Sequence, residues 1–426
     1  MRSTRATHNQ IAVSAKHRET AINTEQTLDT LMPFSLNDII NLAPRREDDT
    51  NEANGREEAS RIYDRGALAE WAFNVEKAQP QHFAFLMAYC LGSVTTAALG
   101  DGYKHTITPI EGGLDSSRDN PSFTAAQRLG KTINKRRFAS MFIDSLKYKF
   151  AKDAWVTLSG TAKGTGKVTN DYEEETVSAL DNVTSLTLAA KAVAGSSADE
   201  RLANVQAIKV ELATGVWTDV VFSAVSSATP AVITITSAGG AGSATVNYKI
   251  LYRPTEAAWG SFPAQVVEDA LKVSQLTLNI GGTWDGAAFS GGKSFGDVLK
   301  SIEGEINDNG ECSFVPGTSG DYAGKHSREA RSQKVTLERE FYENIFQQLI
   351  ADNSTFGIYM KAEGELYDST YKYQVEIIYP SVGVLQAPIS VDGKKLGEKV
   401  EIVVFEHATY GSIIVTVQNL VDTYAA

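Results

Sequence analysis

The chain has 426 residues, 42% hydrophobic and 22% charged, with a net charge of −12. That length exceeds one ordinary core, so two or three domains are expected, and the composition excludes intrinsic disorder. The acidic balance argues against a nucleic-acid binder held by counterion release, but suits a surface past which nucleic acid must move without sticking.

Residues 1–24 read as an N-terminal arm. The opening Met1 to Arg5 is polar and lacks an apolar stretch, so no secretory signal is expected. A first β-rich unit is expected over 25–172. It opens with a polar stretch containing Arg45, Arg46, Glu47, Asp48, Asp49, Arg56, Glu57 and Glu58. Long loops inside compact domains are uncommon, so this is either a solvated loop or a docking arm toward another copy of the chain.

Trp71, Phe73 and Val75 then alternate with Ala72 and Asn74, as in a half-buried strand. Pro80 opens a helix, where its missing N–H does no harm. Phe83, Leu86, Met87, Cys90 and Leu91 fall on one helical stripe for packing. Cys90 and Cys312 are the only cysteines, and Cys90 on that stripe is expected to be a buried free thiol. Residues 83–100 are uncharged over about the length of a membrane span, yet Gly92 and Gly100 bracket a polar second half. A helix ending at Gly92 and followed by a loop is the expectation, with no membrane span.

Segments 103–108, 122–125, 137–142, 145–150 and 155–159 read as strands. The stretch 160–168 superficially resembles a phosphate-cradling loop, but Thr161 and Val168 stand where glycine and a hydroxyl residue are required. It is expected to be a flexible linker.

Residues 173–256 are poor in charge and rich in Ala, Ser, Thr and Val. Strands are expected at 185–188, 207–212, 219–222, 231–235 and 245–251, parted by Gly and Ser turns, which indicates a small inserted sandwich, immunoglobulin-like in style. A second unit over 257–426 begins with a strand at 276–280. A polar loop over 303–331, containing Asp321, Lys325 and Arg328, precedes a strand at 334–337. A helix carrying Tyr342, Ile345, Phe346, Leu349 and Ile350 on one packing stripe follows, then strands at 357–362, 371–379, 399–405 and 413–418. The two stripes lie at a constant offset: Phe83 answers Tyr342 and Leu91 answers Ile350. The same offset carries 155–159 onto 414–418, so one structural unit is expected to be used twice.

Chemistry is excluded residue by residue. His8, His17, His82, His105, His326 and His407 are scattered, with no ligand spacing among them. Asp48, Asp49, Glu52, Glu57 and Glu58 lack the alternation and the glycine of a calcium-binding loop. No nucleophile elbow or Cys–His constellation is present. No enzyme activity, catalytic residue, metal or cofactor is therefore expected.

The order strand pair, long loop, strand, short helix and strand meander, met twice, resembles the phage tail tube proteins with a tandemly duplicated tube fold. The segment 18–27 resembles that family's N-terminal stretch, and 144–150 leading into 156–160 is a third point of likeness. The resemblance covers all but the insertion. It implies a mainly β fold with short α-helices: two tandem β-sandwich units, each flanked by one helix, plus the inserted sandwich on the outer face. It implies a virion protein assembled in the bacterial cytoplasm that forms homotrimeric, pseudo-hexameric rings stacked into a hollow tube. The polar loops would join ring to ring, and an acidic lumen would let phage DNA pass. Partners would be the chain itself and the tape measure, terminator and baseplate proteins. Alternatives are a terminator or baseplate hub ring, or a β-rich surface-binding module of adhesin type. A secreted hydrolase would need a signal peptide and a catalytic constellation, and neither is visible.

Overall fold

The computed structural model describes residues 6–52, 57–110, 120–130, 134–237, 242, 244–255, 262–317 and 320–426. The fold is mainly β, with three α-helices among the described residues. The chain divides into two compact units. The larger comprises Gln10–Ala126, Phe138–Lys167 and Pro263–Ala426, and the smaller Met1–Asn9, Gln127–Arg137 and Val168–Phe262.

In the larger unit, antiparallel pairing runs without a break through strands from both ends of the sequence. Ile40–Asp48 pairs with Ile62–Val75, which pairs with Thr157–Gly164, which pairs with Asn134–Ala151. That last strand pairs in turn with Leu299–Asn307, followed by Ser332–Glu340 and Lys395–Val404. Beyond Lys395–Val404 lie Ile389–Asp392 and the end of Lys372–Gln386. A second antiparallel run takes Phe289–Ser294, Leu276–Trp284, Phe356–Leu366, Lys372–Gln386, Ile414–Asn419, Gly102–Pro109 and Gly92–Leu99 in that spatial order. Alternation decides which face is buried. Trp71, Phe73, Val75, Leu146, Tyr148, Phe150, Ile302, Ile306, Val335, Leu337, Val400 and Ile402 all point inward.

Helix α1 (Pro80–Leu91) begins at the expected proline and ends at Gly92, whose φ of 91° only glycine adopts readily. A Cβ there would lie 2.4 Å from Ile110. All twelve α1 residues are buried, so the apolar stripe understates the burial. The Phe83 ring faces Tyr148 and Phe150 of the first run, and the helix also packs on Ile414–Asn419 and Gly102–Pro109 of the second.

Several expectations are corrected. The segment after Gly92 is a strand, not a loop: Gly92 turns the chain directly into Gly92–Leu99, whose Val94, Thr95 and Thr96 favour a pleated surface. Segments 137–142 and 145–150 belong to one long strand, interrupted only by a register shift between Ile143 and Ser145. The expected linker 160–168 is strand as far as Gly164, and Trp155 and Val156 precede that strand. Its small residues are required by packing, since a Cβ on Gly160 would lie 2.1 Å from the Ser145 carbonyl oxygen.

The two polar loops are also largely β-structure. Arg45, Arg46, Glu47 and Asp48 lie within Ile40–Asp48. The second stretch contains the end of Leu299–Asn307 and a hairpin of Gly310–Ser313 with Lys325–Arg328. The later helix starts at Ile345, so Tyr342 stands outside it and is 74% exposed.

In the smaller unit one sheet has the spatial order Glu173–Leu180, Thr245–Tyr252, Val205–Ala213 and Val216–Asp219. The other has Ser185–Thr187, Val232–Ile235 and Phe222–Val225. Ile208, Val210, Tyr248 and Ile250 of the first share one buried cluster with Leu186, Ile233 and Val225 of the second. The expected strand at 219–222 is two strands, because the chain changes sheet at Val220 and Val221. The Val220 N–H donates to the Ile208 carbonyl, whereas the Val221 carbonyl accepts from Thr236. Helix α2 (Ala198–Ala203) is capped by Ser197, whose side chain accepts from the Glu200 N–H at 3.2 Å.

Candidate assembly interface

Within the larger unit, the part before the insertion and the part after it meet along two strand ladders. In the first, residues 145–151 pair with 301–307. On its open face Lys147 lies 2.5 Å, and Lys149 3.6 Å, from Glu303. Across its buried face the Tyr148 ring lies over Gly304, where a Cβ would come within 2.3 Å of the ring. Residues 103–107 and 415–419 form the second ladder. There His105 is buried with Nδ1 2.9 Å from the Thr96 hydroxyl and Nε2 2.9 Å from the Val421 carbonyl. A carbonyl only accepts, so Nε2 carries the proton, and burial holds this neutral imidazole below its usual pKa.

A polar excursion, described over 308–317 and 320–331, reaches back from the second part over the first. Asp308 is buried and takes Arg331 at 2.7 Å, Arg328 at 3.5 Å and the Asn120 amide at 2.6 Å. Arg331 also donates to the Cys90 carbonyl at 3.0 Å, and burial pushes the Cys90 thiol well above its usual range. Further along, the Asp321 carbonyl accepts from the Ala67 N–H at 3.0 Å and the Ala323 carbonyl from the Asn23 amide at 2.9 Å. The Phe142 and His326 rings stack 3.8 Å apart, and the Arg45 guanidinium sits 5.2 Å above Phe314. Gly66, at φ 85°, admits this excursion, since a Cβ there would strike Gly320 and Phe314.

The residues expected to join rings therefore divide. Arg45, Arg46, Glu47 and Asp48 are exposed, with Arg46 3.4 Å from Asp64 and Arg65 paired to Glu47. Asp49 accepts from the Ser60 hydroxyl and N–H and from the Arg61 N–H, and these bonds hold its carboxyl down at about 2. These bonds tie the end of Ile40–Asp48 to the start of Ile62–Val75. Arg56 lies outside the described residues. Glu57, Glu58, Asp321 and Lys325 are exposed, whereas Arg328 is committed to Asp308 inside the chain.

The packing residues divide as well. Phe83, Leu86, Met87 and Leu91 are fully buried. On α3 (Ile345–Ala351) only Phe346 is buried, while Ile345 and Leu349 are half-buried. Arg339, itself buried, holds α3 by lying 4.7 Å over the Phe346 ring while pairing with the buried Glu398 at 2.7 Å. A cleft of about 430 Å³ beside α3 is lined by Leu349, Ile350, Val384, Leu385, Val403 and Phe405.

Sequence reasoning missed Asp308, Arg331, Tyr148 and Gly304. A glycine between Ile302 and Ile306 in an alternating strand was the one available sign of close approach. Among the described residues no group of three or more His, Cys, Asp or Glu is arranged to hold a metal, and no helix is long and apolar enough to cross a membrane. No protein-family model and no curated protein matches the chain.

Proposed function

We propose that this chain is a structural protein that assembles with copies of itself into rings, stacked as a hollow tube of the phage tail type. The observation that carries this reading is the ladder between 145–151 and 301–307, in which two parts of one chain join sheet border to sheet border.

The two parts are, in this reading, one β-sandwich unit used twice. Ile62–Val75 lies between Ile40–Asp48 and Thr157–Gly164, and is followed by α1 and a hairpin. Ser332–Glu340 lies between Leu299–Asn307 and Lys395–Val404, and is followed by α3 and a hairpin. Inward-facing Trp71, Phe73 and Val75 then answer Val335, Leu337 and Arg339. This equivalence replaces the offset read from the sequence, because Lys395–Val404, not Ile414–Asn419, answers Thr157–Gly164.

Each unit contributes four strand positions to the first run, Ile389–Asp392 and the end of Lys372–Gln386 sharing one, so one chain supplies two repeats of a ring. Three chains would complete a pseudo-sixfold ring. The open face of the first run would line the lumen. Lys147, Lys149, Glu303, Lys334 and Glu401 interleave there, which leaves little unpaired positive charge to detain phosphates. The part of the smaller unit over 173–256, two sheets around one core, is read as an immunoglobulin-like insertion not needed for assembly.

Electron microscopy of the concentrated protein tests the reading. Long hollow filaments are expected. Single rings that never stack would favour a terminator or hub, and dispersed monomers would remove the ring reading. Mass measurement of the assembled ring is expected to give three copies, and a stable hexamer would refute that stoichiometry.

A further inference from the structure

We propose that a cleft in the smaller unit binds a saccharide bearing a single carboxylate, of the hexuronate class. The inference rests on this unit alone and not on the ring reading above. The cleft measures about 480 Å³ and lies among the segment after Ser185–Thr187, helix α2 and the turn between Phe222–Val225 and Val232–Ile235. A volume of this size is ordinary for a small-molecule site.

Its charge is the reverse of the protein's. The chain carries a net charge of −12, yet the described residues lining the cleft include Lys191 and Arg201 and no carboxylate. Lys191 pairs with Glu173 at 2.5 Å, and that pair is neutral as a whole. Arg201 instead donates from Nε to the Val225 carbonyl at 3.3 Å and from Nη1 to the Gly195 carbonyl at 3.4 Å. Both acceptors are uncharged, so they hold the guanidinium in place without neutralising it. One surplus positive charge is complemented by one negative charge. A planar carboxylate fits, because a guanidinium grips it with two parallel bonds, whereas a phosphate monoester carries nearly two charges.

The remaining lining suits a sugar ring. Ser227, Thr229 and Thr255 supply hydroxyls that both donate and accept, as a polyhydroxylated ligand requires. Ala190 and Ala192 leave room beside them and offer apolar surface to ring C–H groups. The walls are also built in advance. The Lys191 carbonyl accepts from the Ala231 N–H at 3.0 Å, and the Ala192 carbonyl from the Thr255 N–H at 2.8 Å. Ala194 donates to the Arg253 carbonyl at 2.9 Å. Gly195, at φ 139°, brings α2 close, since a Cβ there would lie 2.6 Å from the Arg201 backbone nitrogen. A ligand entering such a site need not first order it.

The test is saturation-transfer NMR on the full-length chain with sodium glucuronate, glucose and dimethyl phosphate as probes. Transfer to the glucuronate ring protons is expected, and glucose, which lacks the carboxylate, is expected to bind about tenfold more weakly or worse. Arg201→Gln is expected to reduce glucuronate binding to the level of glucose. Arg201 also braces two carbonyls, so a second variant leaves it in place. Ala190→Trp obstructs the exposed rim of the cleft and is expected to abolish binding of both sugars with an unchanged circular dichroism spectrum. No transfer to glucuronate, equal binding of glucose, or glucuronate binding that survives either variant overturns the site. Dimethyl phosphate that displaces glucuronate at equal concentration overturns the saccharide assignment in favour of a phosphodiester.

Discussion

The Tyr148 hydroxyl lies 2.9 Å from the Tyr379 hydroxyl, and both side chains are fully buried. The two tyrosines come from opposite sides of the insertion, so one hydrogen bond ties the two parts of the larger unit through its core. Replacing either tyrosine with phenylalanine leaves the other hydroxyl unsatisfied in an apolar setting, at a cost of about 1–3 kcal/mol. The double phenylalanine variant removes both polar groups and is expected to cost less than the two single changes together. Denaturant unfolding of the four proteins measures this coupling.

Gly304 offers a sharper probe of the same seam. Gly304→Ala drives a Cβ into the Tyr148 ring, which is fixed among Phe83 and Phe150. Overpacking of this kind is expected to lower stability by about 1–3 kcal/mol. Thermal unfolding checks it, and Gly304→Ala in a Tyr148→Ala background is expected to recover most of the loss.

Glu268 makes stability depend on pH. It is buried and accepts from the Gln81 N–H in the first turn of α1 at 2.7 Å, and burial pushes its carboxyl up to about 8. The unfolded chain loses that proton near 4.5, so between about 4.5 and about 8 the folded state binds more protons. Stability from this group is therefore complete below 4.5, falls as pH rises through the window, and levels off above it. His82 acts oppositely. Burial lowers it to about 4, so its contribution falls as pH drops from about 6.5 to about 4. Glu268→Gln is expected to flatten the alkaline limb and stabilise the protein at pH 8 by on the order of 4 kcal/mol, since one pKa unit is worth about 1.4 kcal/mol. Urea unfolding across pH 4–9 reads both slopes.

Removing the insertion is the fourth test. Glu173 stands directly opposite Tyr252 in an antiparallel pair, so the chain leaves and returns side by side. Deleting 175–256 therefore needs no long bridge. The shortened chain is expected to form the same filaments under the microscope, and failure to assemble would overturn the reading of this unit as a dispensable insertion.

What the sequence disclosed depended on how local each signal was. Trp71, Phe73 and Val75 announce their strand by strict alternation, and Pro80 with Gly92 brackets α1. Gly92–Leu99 was hidden because its weakly apolar residues lie on a half-exposed strand, where pairing with Gly102–Pro109 decides the structure. The start of α3 was misplaced because Tyr342 sits at a helical spacing that the chain does not use. Asp308 and Arg331 are separated by a hairpin, and their partner Asn120 lies far earlier. Only the folded topology brings such groups together, so the polar tie at Cys90 had no trace in local pattern.

The 145–151 and 301–307 ladder also bears on how quickly a ring can begin. A tether between two partners fixes their effective concentration, so this seam forms regardless of how dilute the protein is. In the ring proposed above, half of all seams are then made during folding, and only three seams between molecules remain. The two kinds of seam also answer to different residues. A substitution at Gly304 alters one kind throughout the ring without touching the other, so the strength of each can drift independently while the circle still closes.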